Sequence, residues 1–157
     1  MEGMMDKWSS DIYGGEELYG VELVLDLYNC DVSKFNRRSI GKYFTALCKL
    51  LKMKKCKRVF WDDVGVPIKE RQTSPHTKGT TAIQFIITSN ITIHCLDILE
   101  QAYVNIFSCK PFDLGKAQQF TQEWFNADSV RPWPLRRGIN YAAIRSRRES
   151  AEKMGYK

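Results

Sequence analysis

The sequence predicts an α+β fold, a two-layer sandwich in which a mainly antiparallel sheet of about four or five strands carries helices on one face. Three observations lead to this prediction. Several short runs alternate in polarity or are rich in β-branched residues, which is typical of strands. Two segments place apolar residues three and four positions apart, as amphipathic helices do. These elements follow in the order strand, helix, strands, helix, strand, and 157 residues with 43% hydrophobic content suffice for one domain.

The first half of the chain opens with a strand and a helix. Residues 20–28 alternate apolar and other side chains, which predicts a strand with one buried face. A helix is expected from Asn36 onward, because apolar residues recur at helical spacing: Ile40, Tyr43, Phe44, Leu47 and Leu51. Residues 58–62 predict a second strand, and we expect its Trp61 in the core. Residues 64–79 show no periodicity, and loops of this length are often functional.

The centre of the chain predicts three further strands. β-branched and aromatic residues dominate these runs, which cover residues 80–87, 91–96 and 103–109. Between the first two runs stand Thr88, Ser89 and Asn90, which are turn-forming residues. We therefore expect the chain to turn at Ser89.

The last part of the chain predicts a helix, an extended segment and a second helix. Pro111 is expected to end the preceding strand, and Asp113 is the expected N-cap of a helix over residues 114–125. Residues 129–135 contain two prolines, which restricts them to an edge strand or an extended segment. Residues 141–154 predict a basic terminal helix.

These patterns divide the chain into three regions: an N-terminal extension over residues 1–19, a domain over residues 20–135 and a basic C-terminal tail over residues 136–157.

The net charge of +6 arises near the C-terminus, since residues 131–157 hold eight Lys or Arg against two Glu. The remaining 130 residues carry 16 charges of each sign. A tail of this kind is more often a solvated helix than a binding arm, so nucleic-acid binding is a side alternative.

The composition also indicates the cellular location of the protein and the redox state of its cysteines. No run approaches the eighteen apolar residues of a membrane helix, and the first residues lack the apolar segment of a secretion signal. We expect a cytoplasmic protein that does not bind a membrane. Five cysteines without paired spacing indicate neither a disulfide framework nor a metal site, so reduced thiols are expected.

Ser89, His94 and Cys109 lie within a stretch of about twenty residues, and these residue types together suggest covalent chemistry. The alternative is structural, because serine is common in turns and a strand cysteine is usually a small buried hydrophobe. The residue types alone favour that alternative. In a tight hairpin turning at Ser89, His94 would lie roughly 17 Å away, at 3.4 Å per residue.

Four segments resemble one enzyme family. They are Val24 to Asp31 (VLDLYNCD), Gly79-Thr80-Thr81, Ser89 to His94 (SNITIH) and Ile106 to Cys109 (IFSC). Their order and spacing are similar to those of the short, prokaryotic-type S-adenosylmethionine decarboxylases, which are pyruvoyl enzymes. The likeness spans roughly residues 20–135. It implies that Ser89 attacks the carbonyl of Thr88, so that the chain breaks between them and a covalent pyruvoyl group forms from Ser89.

The resemblance also implies the roles of other residues. His94 matches the residue that handles protons during processing, and Thr81 matches a supporting hydroxyl that is serine in the family. Cys109 matches the thiol that protonates the decarboxylated carbon. The pyruvoyl group accepts the electrons released with carbon dioxide, as pyridoxal phosphate does in other enzymes. A homodimer of processed chains is the expected assembly.

The chain departs from the family around the substrate. Thr88 stands where the family has glutamate, and the family's substrate-binding glutamate is absent, with Asp97 one residue earlier as a stand-in. An adenine-stacking phenylalanine is also missing from the segment before Gly79. Two alternatives to S-adenosylmethionine decarboxylation therefore remain. One is a pyruvoyl decarboxylase of arginine or ornithine, and the other is an unprocessed relative that binds a ligand or a partner.

Overall fold

The computed structural model describes residues 9–155 and confirms the α+β prediction, with six strands where about four or five were expected. A short helical segment, residues 9–13, precedes the first strand; residues 1–8 of the expected N-terminal extension lie outside the described part. The elements are β1 Leu18–Tyr28, α1 Arg37–Leu50, β2 Lys55–Trp61, β3 Gly79–Ile86, β4 Ser89–Leu96, β5 Gln101–Ser108, α2 Leu114–Trp124, β6 Ser129–Ile139 and α3 Tyr141–Lys153.

The strands form one antiparallel sheet in the order β2-β3-β4-β5-β1-β6. On one face, alternate residues of the central strands are buried against the apolar sides of α1 and α2, as period-two patterns require. The largest fully buried side chains include Tyr43, Phe44 and Phe125. This face holds the hydrophobic core, which fixes the register of the strands.

The two core helices begin where their capping residues allow. Asn36 accepts a hydrogen bond from the backbone of Ser39, and Asp113 accepts one from that of Lys116, so the cap expected at Asp113 is confirmed. The hydroxyl groups of Tyr43 and Thr121 lie 2.8 Å apart and join α1 to α2 in the core. None of the helices in residues 9–155 has the length and apolar character needed to span a bilayer.

The opposite face of the sheet, which we call the open face, is not covered by α1 or α2. It carries the other set of alternating residues, including Thr81, His94, Phe107 and Trp133. Several large apolar side chains on it are exposed: Val59, Trp61, Phe85, Trp133 and Leu135. Of the functional residues expected from the sequence, Thr81 and His94 lie on this face, whereas Thr88, Ser89 and Cys109 lie at the end of the sheet where β4 begins and β5 ends.

Two local expectations were wrong. The chain turns at Ile87 and Thr88 rather than at Ser89, which is the first residue of β4 and pairs with Ile86. Trp61 is 79% exposed rather than in the core, because it lies on the open face of the edge strand β2, where it pairs with Thr81, whereas α1 covers the opposite face. The proline-containing segment expected after residue 128 is an edge strand, and it continues through Ile139.

Candidate active site

A row of paired residues crosses the open face and contains two of the expected site residues. Trp61 pairs with Thr81, Thr81 with His94, and His94 with Tyr103. The Thr81 hydroxyl lies 2.7 Å from Nδ1 of His94, and the His94 and Tyr103 rings stack with their centroids 6.5 Å apart. The imidazole is thus held on one side by a hydrogen bond and on the other by a ring. This fixed pair is suited to moving a proton.

The Thr81 and His94 pair lines a pocket of about 270 Å³. The loop between β2 and β3 closes one side of this pocket with Asp63, His76 and neighbouring residues. An ion pair of 2.9 Å between Asp63 and Lys78 fastens that loop to the start of β3. There the backbone of Gly79 passes so close to the carbonyl oxygen of Cys95 that any Cβ atom would collide with it.

The backbone at Ser89 is strained. Its φ is 153°, within the positive range that side-chain-bearing residues rarely adopt, although Ser89 is paired with both Ile86 and Ser108. Such conformations cost about 1–3 kcal/mol and persist only where the surroundings impose them. The strain is located at the bond that the resemblance marks for cleavage.

The peptide between Thr88 and Ser89 is held by the end of β5. The Thr88 carbonyl oxygen accepts a hydrogen bond of 3.1 Å from the backbone N–H of Cys109. The Thr88 hydroxyl lies 2.8 Å from that of Ser108, and the side-chain amide of Asn90 donates to the Ser89 hydroxyl over 3.0 Å. The N–H of Cys109 is directed at the oxygen that would become negative if Ser89 attacked this carbonyl. Cys109 itself is exposed and beside the scissile bond.

The expected site residues therefore form two groups within one chain. Thr88, Ser89 and Cys109 lie around the start of β4, whereas His94 lies five residues further along β4 and pairs there with Thr81 of β3. At strand spacing the separation from Ser89 to His94 is roughly 17 Å. A single chain does not bring the histidine to the serine.

Asp97 lies just beyond β4 and outside the pocket of His94. It borders a separate cavity of about 500 Å³, together with Asp63, Lys78 and Arg37 among others. Burial raises the pKa of the Asp97 carboxyl group, Lys78 opposes that shift and Asp63 adds to it. One carboxylate oxygen of Asp97 is buried and has no hydrogen-bond partner among the described residues. A cationic ligand group would satisfy it.

Sequence reasoning missed Ser108 and the position of Trp61. Ser108 is a small polar residue at the end of a strand, and its hydrogen bond to Thr88 depends on the register of β4 and β5. The exposure of Trp61 depends on which face of β2 the helix α1 covers. Within residues 9–155, no group of three His, Cys, Asp or Glu is placed to hold a metal ion.

Fold and site together define a class: small two-layer α+β proteins with a strained hairpin serine, a neighbouring thiol and a hydroxyl–imidazole pair on one open sheet face. The family model for S-adenosylmethionine decarboxylase matches residues 21–138 of this chain. The chain belongs to the S-adenosylmethionine decarboxylase family.

A solved structure supports the fold. The chain is similar to the crystal structure of the adenosylmethionine decarboxylase from Aquifex aeolicus VF5, with 21% sequence identity and a TM-score of 0.63. The similarity covers 78% of this chain and 93% of that chain. A comparison with curated proteins finds no match for the sequence.

Proposed function

We propose that this chain cleaves itself between Thr88 and Ser89 and then decarboxylates S-adenosylmethionine, supplying aminopropyl groups for polyamine synthesis. The observation that carries the proposal is the strained φ of 153° at Ser89, next to a carbonyl that is already bound by the N–H of Cys109. All five thiols are free, which suits the reducing cytosol.

Self-cleavage would proceed by transfer of an acyl group from nitrogen to oxygen. The Ser89 oxygen bonds to the Thr88 carbonyl carbon, the bond from that carbon to nitrogen breaks, and the hydroxyl proton passes to the amine. Loss of the Ser89 Cα proton then breaks the Cβ–oxygen bond and releases Thr88 as a carboxylate. Water hydrolyses the remaining enamine, through its imine form, to a pyruvoyl group and ammonia. The strain at Ser89 favours the first step, because breaking the peptide bond releases it.

The residues around position 89 fit a pyruvoyl group. This group would supply an electron sink for the electrons released with carbon dioxide. Cys109 is exposed, and its backbone N–H binds the Thr88 carbonyl oxygen; we assign its thiol to donate a proton to the decarboxylated carbon. We assign Asp97 to the positive charge of the substrate, because one of its carboxylate oxygens is buried without a hydrogen-bond partner in residues 9–155.

The separation of the two residue groups supports a homodimer. Proton transfer during processing requires His94 near Ser89, and one chain leaves them roughly 17 Å apart. Two chains packed through their open faces would place the Thr81 and His94 pair of one copy against the Ser89 of the other. The exposed apolar residues of this face support that assignment.

A basic amino acid is the second candidate substrate. Asp62 and Asp63 line the His94 pocket, and carboxylates there suit the guanidinium of arginine or the ammonium of ornithine. Asp62 is already paired with Arg37, and Asp63 is paired with Lys78, so less negative charge is available to bind a guanidinium or ammonium group. We therefore keep S-adenosylmethionine as the first substrate.

Denaturing electrophoresis and intact mass of the purified protein test the cleavage. We expect two fragments that divide between Thr88 and Ser89, the second blocked by pyruvoyl, and an intact chain for Ser89→Ala. An intact wild-type chain would instead indicate an unprocessed relative that binds a ligand or partner.

Trapping with a reductant in the presence of S-adenosylmethionine, arginine or ornithine would then identify the substrate. Only a true substrate leaves a mass adduct on the fragment that begins at residue 89. An adduct with arginine or ornithine alone would refute the first choice of substrate.

A further inference from the structure

We infer that Ser108 is a positioning residue for self-cleavage, acting through the side chain of Thr88; this rests on the function proposed above. Ser108 is the last residue of β5, is fully buried and stands directly opposite Ser89. Its hydroxyl lies 2.8 Å from that of Thr88. The hydroxyl of Ser108 therefore contacts the residue whose carbonyl is attacked.

Thr88 is held at two different atoms. The N–H of Cys109 binds its carbonyl oxygen over 3.1 Å, and Ser108 binds its hydroxyl. The carbonyl contact alone restrains the peptide least about the axis through that contact. The contact of the Thr88 side chain adds a second restraint on the orientation of the Thr88–Ser89 peptide, and that orientation decides whether the Ser89 oxygen meets the carbonyl carbon face-on.

The hydroxyl of Ser108 is itself held in place. The backbone N–H of Lys110 donates to it over 3.0 Å, and complete burial excludes competing water. A hydroxyl that accepts one bond still has a proton to donate and a second lone pair, so it serves Thr88 in either direction. Ser108 thus links the turn after β5 to the residue that precedes the scissile bond.

Removal of this hydroxyl is expected to slow self-cleavage without changing its site. We expect Ser108→Ala to cleave about tenfold to a hundredfold more slowly than wild type, because small errors in the alignment of reacting atoms have effects of this size. Ser108→Thr keeps the hydroxyl, and we expect it to cleave within about threefold of the wild-type rate, well short of the alanine effect.

The rate is measured on labelled chains made by cell-free synthesis, as conversion of intact chain to fragments on denaturing gels. A double-mutant cycle combines Ser108→Ala with Thr88→Val. If the two hydroxyl groups act together, the double variant is no slower than the slower single variant. Thr121→Val is the matched control, because it also removes a buried hydroxyl that is hydrogen-bonded to another side chain, and should cleave at the wild-type rate.

The outcomes separate this inference from the proposed function. An intact wild-type chain overturns both. Wild-type cleavage with an equally fast Ser108→Ala overturns the role of Ser108 alone, as do rate losses that multiply in the double variant. If Ser108→Ala is misfolded by circular dichroism, Thr88→Val decides: unchanged cleavage refutes the role of the hydroxyl pair, and slow cleavage supports it.

Discussion

Residue 89 combines a strained backbone with a reactive side chain. Its φ of 153° is easily adopted by glycine, yet serine occupies the position and its hydroxyl accepts a bond from Asn90. A folded chain with this conformation holds free energy that cleavage would release. Thus the same residue would supply both the nucleophile and part of the driving force.

Two uncleavable variants isolate this strain. Ser89→Ala and Ser89→Gly both lack the nucleophile, but only glycine relaxes the positive φ. We expect the glycine variant to be more stable by about 1 kcal/mol, after the entropy that glycine loses on folding is subtracted from the relieved strain. Urea unfolding of both proteins measures the difference. An alanine variant that is more stable by about 0.5–1 kcal/mol, the entropic cost of glycine, would show that residue 89 is not strained.

The Asp97 carboxyl group makes stability depend on pH. Its pKa is raised in the folded chain, so the folded state binds more protons than the unfolded state above the ordinary value of 3.8. Stability is therefore lost as pH rises through this interval, and neutral pH carries the full penalty. We expect Asp97→Asn to be more stable than wild type at pH 7, with the gain shrinking toward pH 4, and to bind substrate more weakly.

Unfolding of wild type and Asp97→Asn in urea between pH 4 and 7 measures this effect. Asp63 and Lys78 face the same cavity and remain in both proteins, so the comparison isolates the change at position 97. A gain that does not depend on pH would assign the effect to amide packing instead of charge.

At the scale of elements, local sequence patterns predict the strands and helices that are determined by residues close together in the chain. The alternation in residues 20–28 predicted β1, and the Asp113 cap predicted α2. The sequence predicts the turn at Ser89 because serine is a common turn residue. The chain turns at Ile87 and Thr88 instead, because Ser89 pairs with Ile86 and is the first residue of β4. The contact between Ser108 and Thr88 was likewise invisible, since it depends on the register of two strands.

The bond between Tyr43 and Thr121 joins α1 and α2, and its loss should weaken the helical layer. Tyr43→Phe keeps the ring packing and removes one buried hydroxyl, while Thr121 retains its bond to the carbonyl of Ala117. We expect a loss of about 1 kcal/mol in the free energy of unfolding. Urea unfolding measures it, and a loss above about 3 kcal/mol would contradict a single hydrogen bond.

At the scale of the molecule, one face of the sheet packs in the core and the open face carries the pair of Thr81 and His94. The open face presents exposed Trp133 and Leu135, as well as the row that contains His94. Sequence alone identified Ser89, His94 and Cys109 but not their division into two groups, because that division follows from sheet geometry. Because His94 and Ser89 lie far apart in one chain, we propose that the open face is an interface between two copies.

Mixed dimers test this arrangement. Ser89→Ala cannot be cleaved but offers an intact Thr81 and His94 pair, whereas His94→Ala lacks the imidazole but retains Ser89. Each variant alone is expected to stay largely intact. When the two are co-expressed with different tags, we expect cleavage to return only in the His94→Ala chain, and only in those copies that have paired with a Ser89→Ala chain. Electrophoresis of the separately tagged chains measures this cleavage.

Trp133→Glu in both chains adds charge to the open face and should remove the rescue. Efficient cleavage of His94→Ala alone, or no rescue in purified mixed dimers, would show that the two residue groups do not combine across an interface.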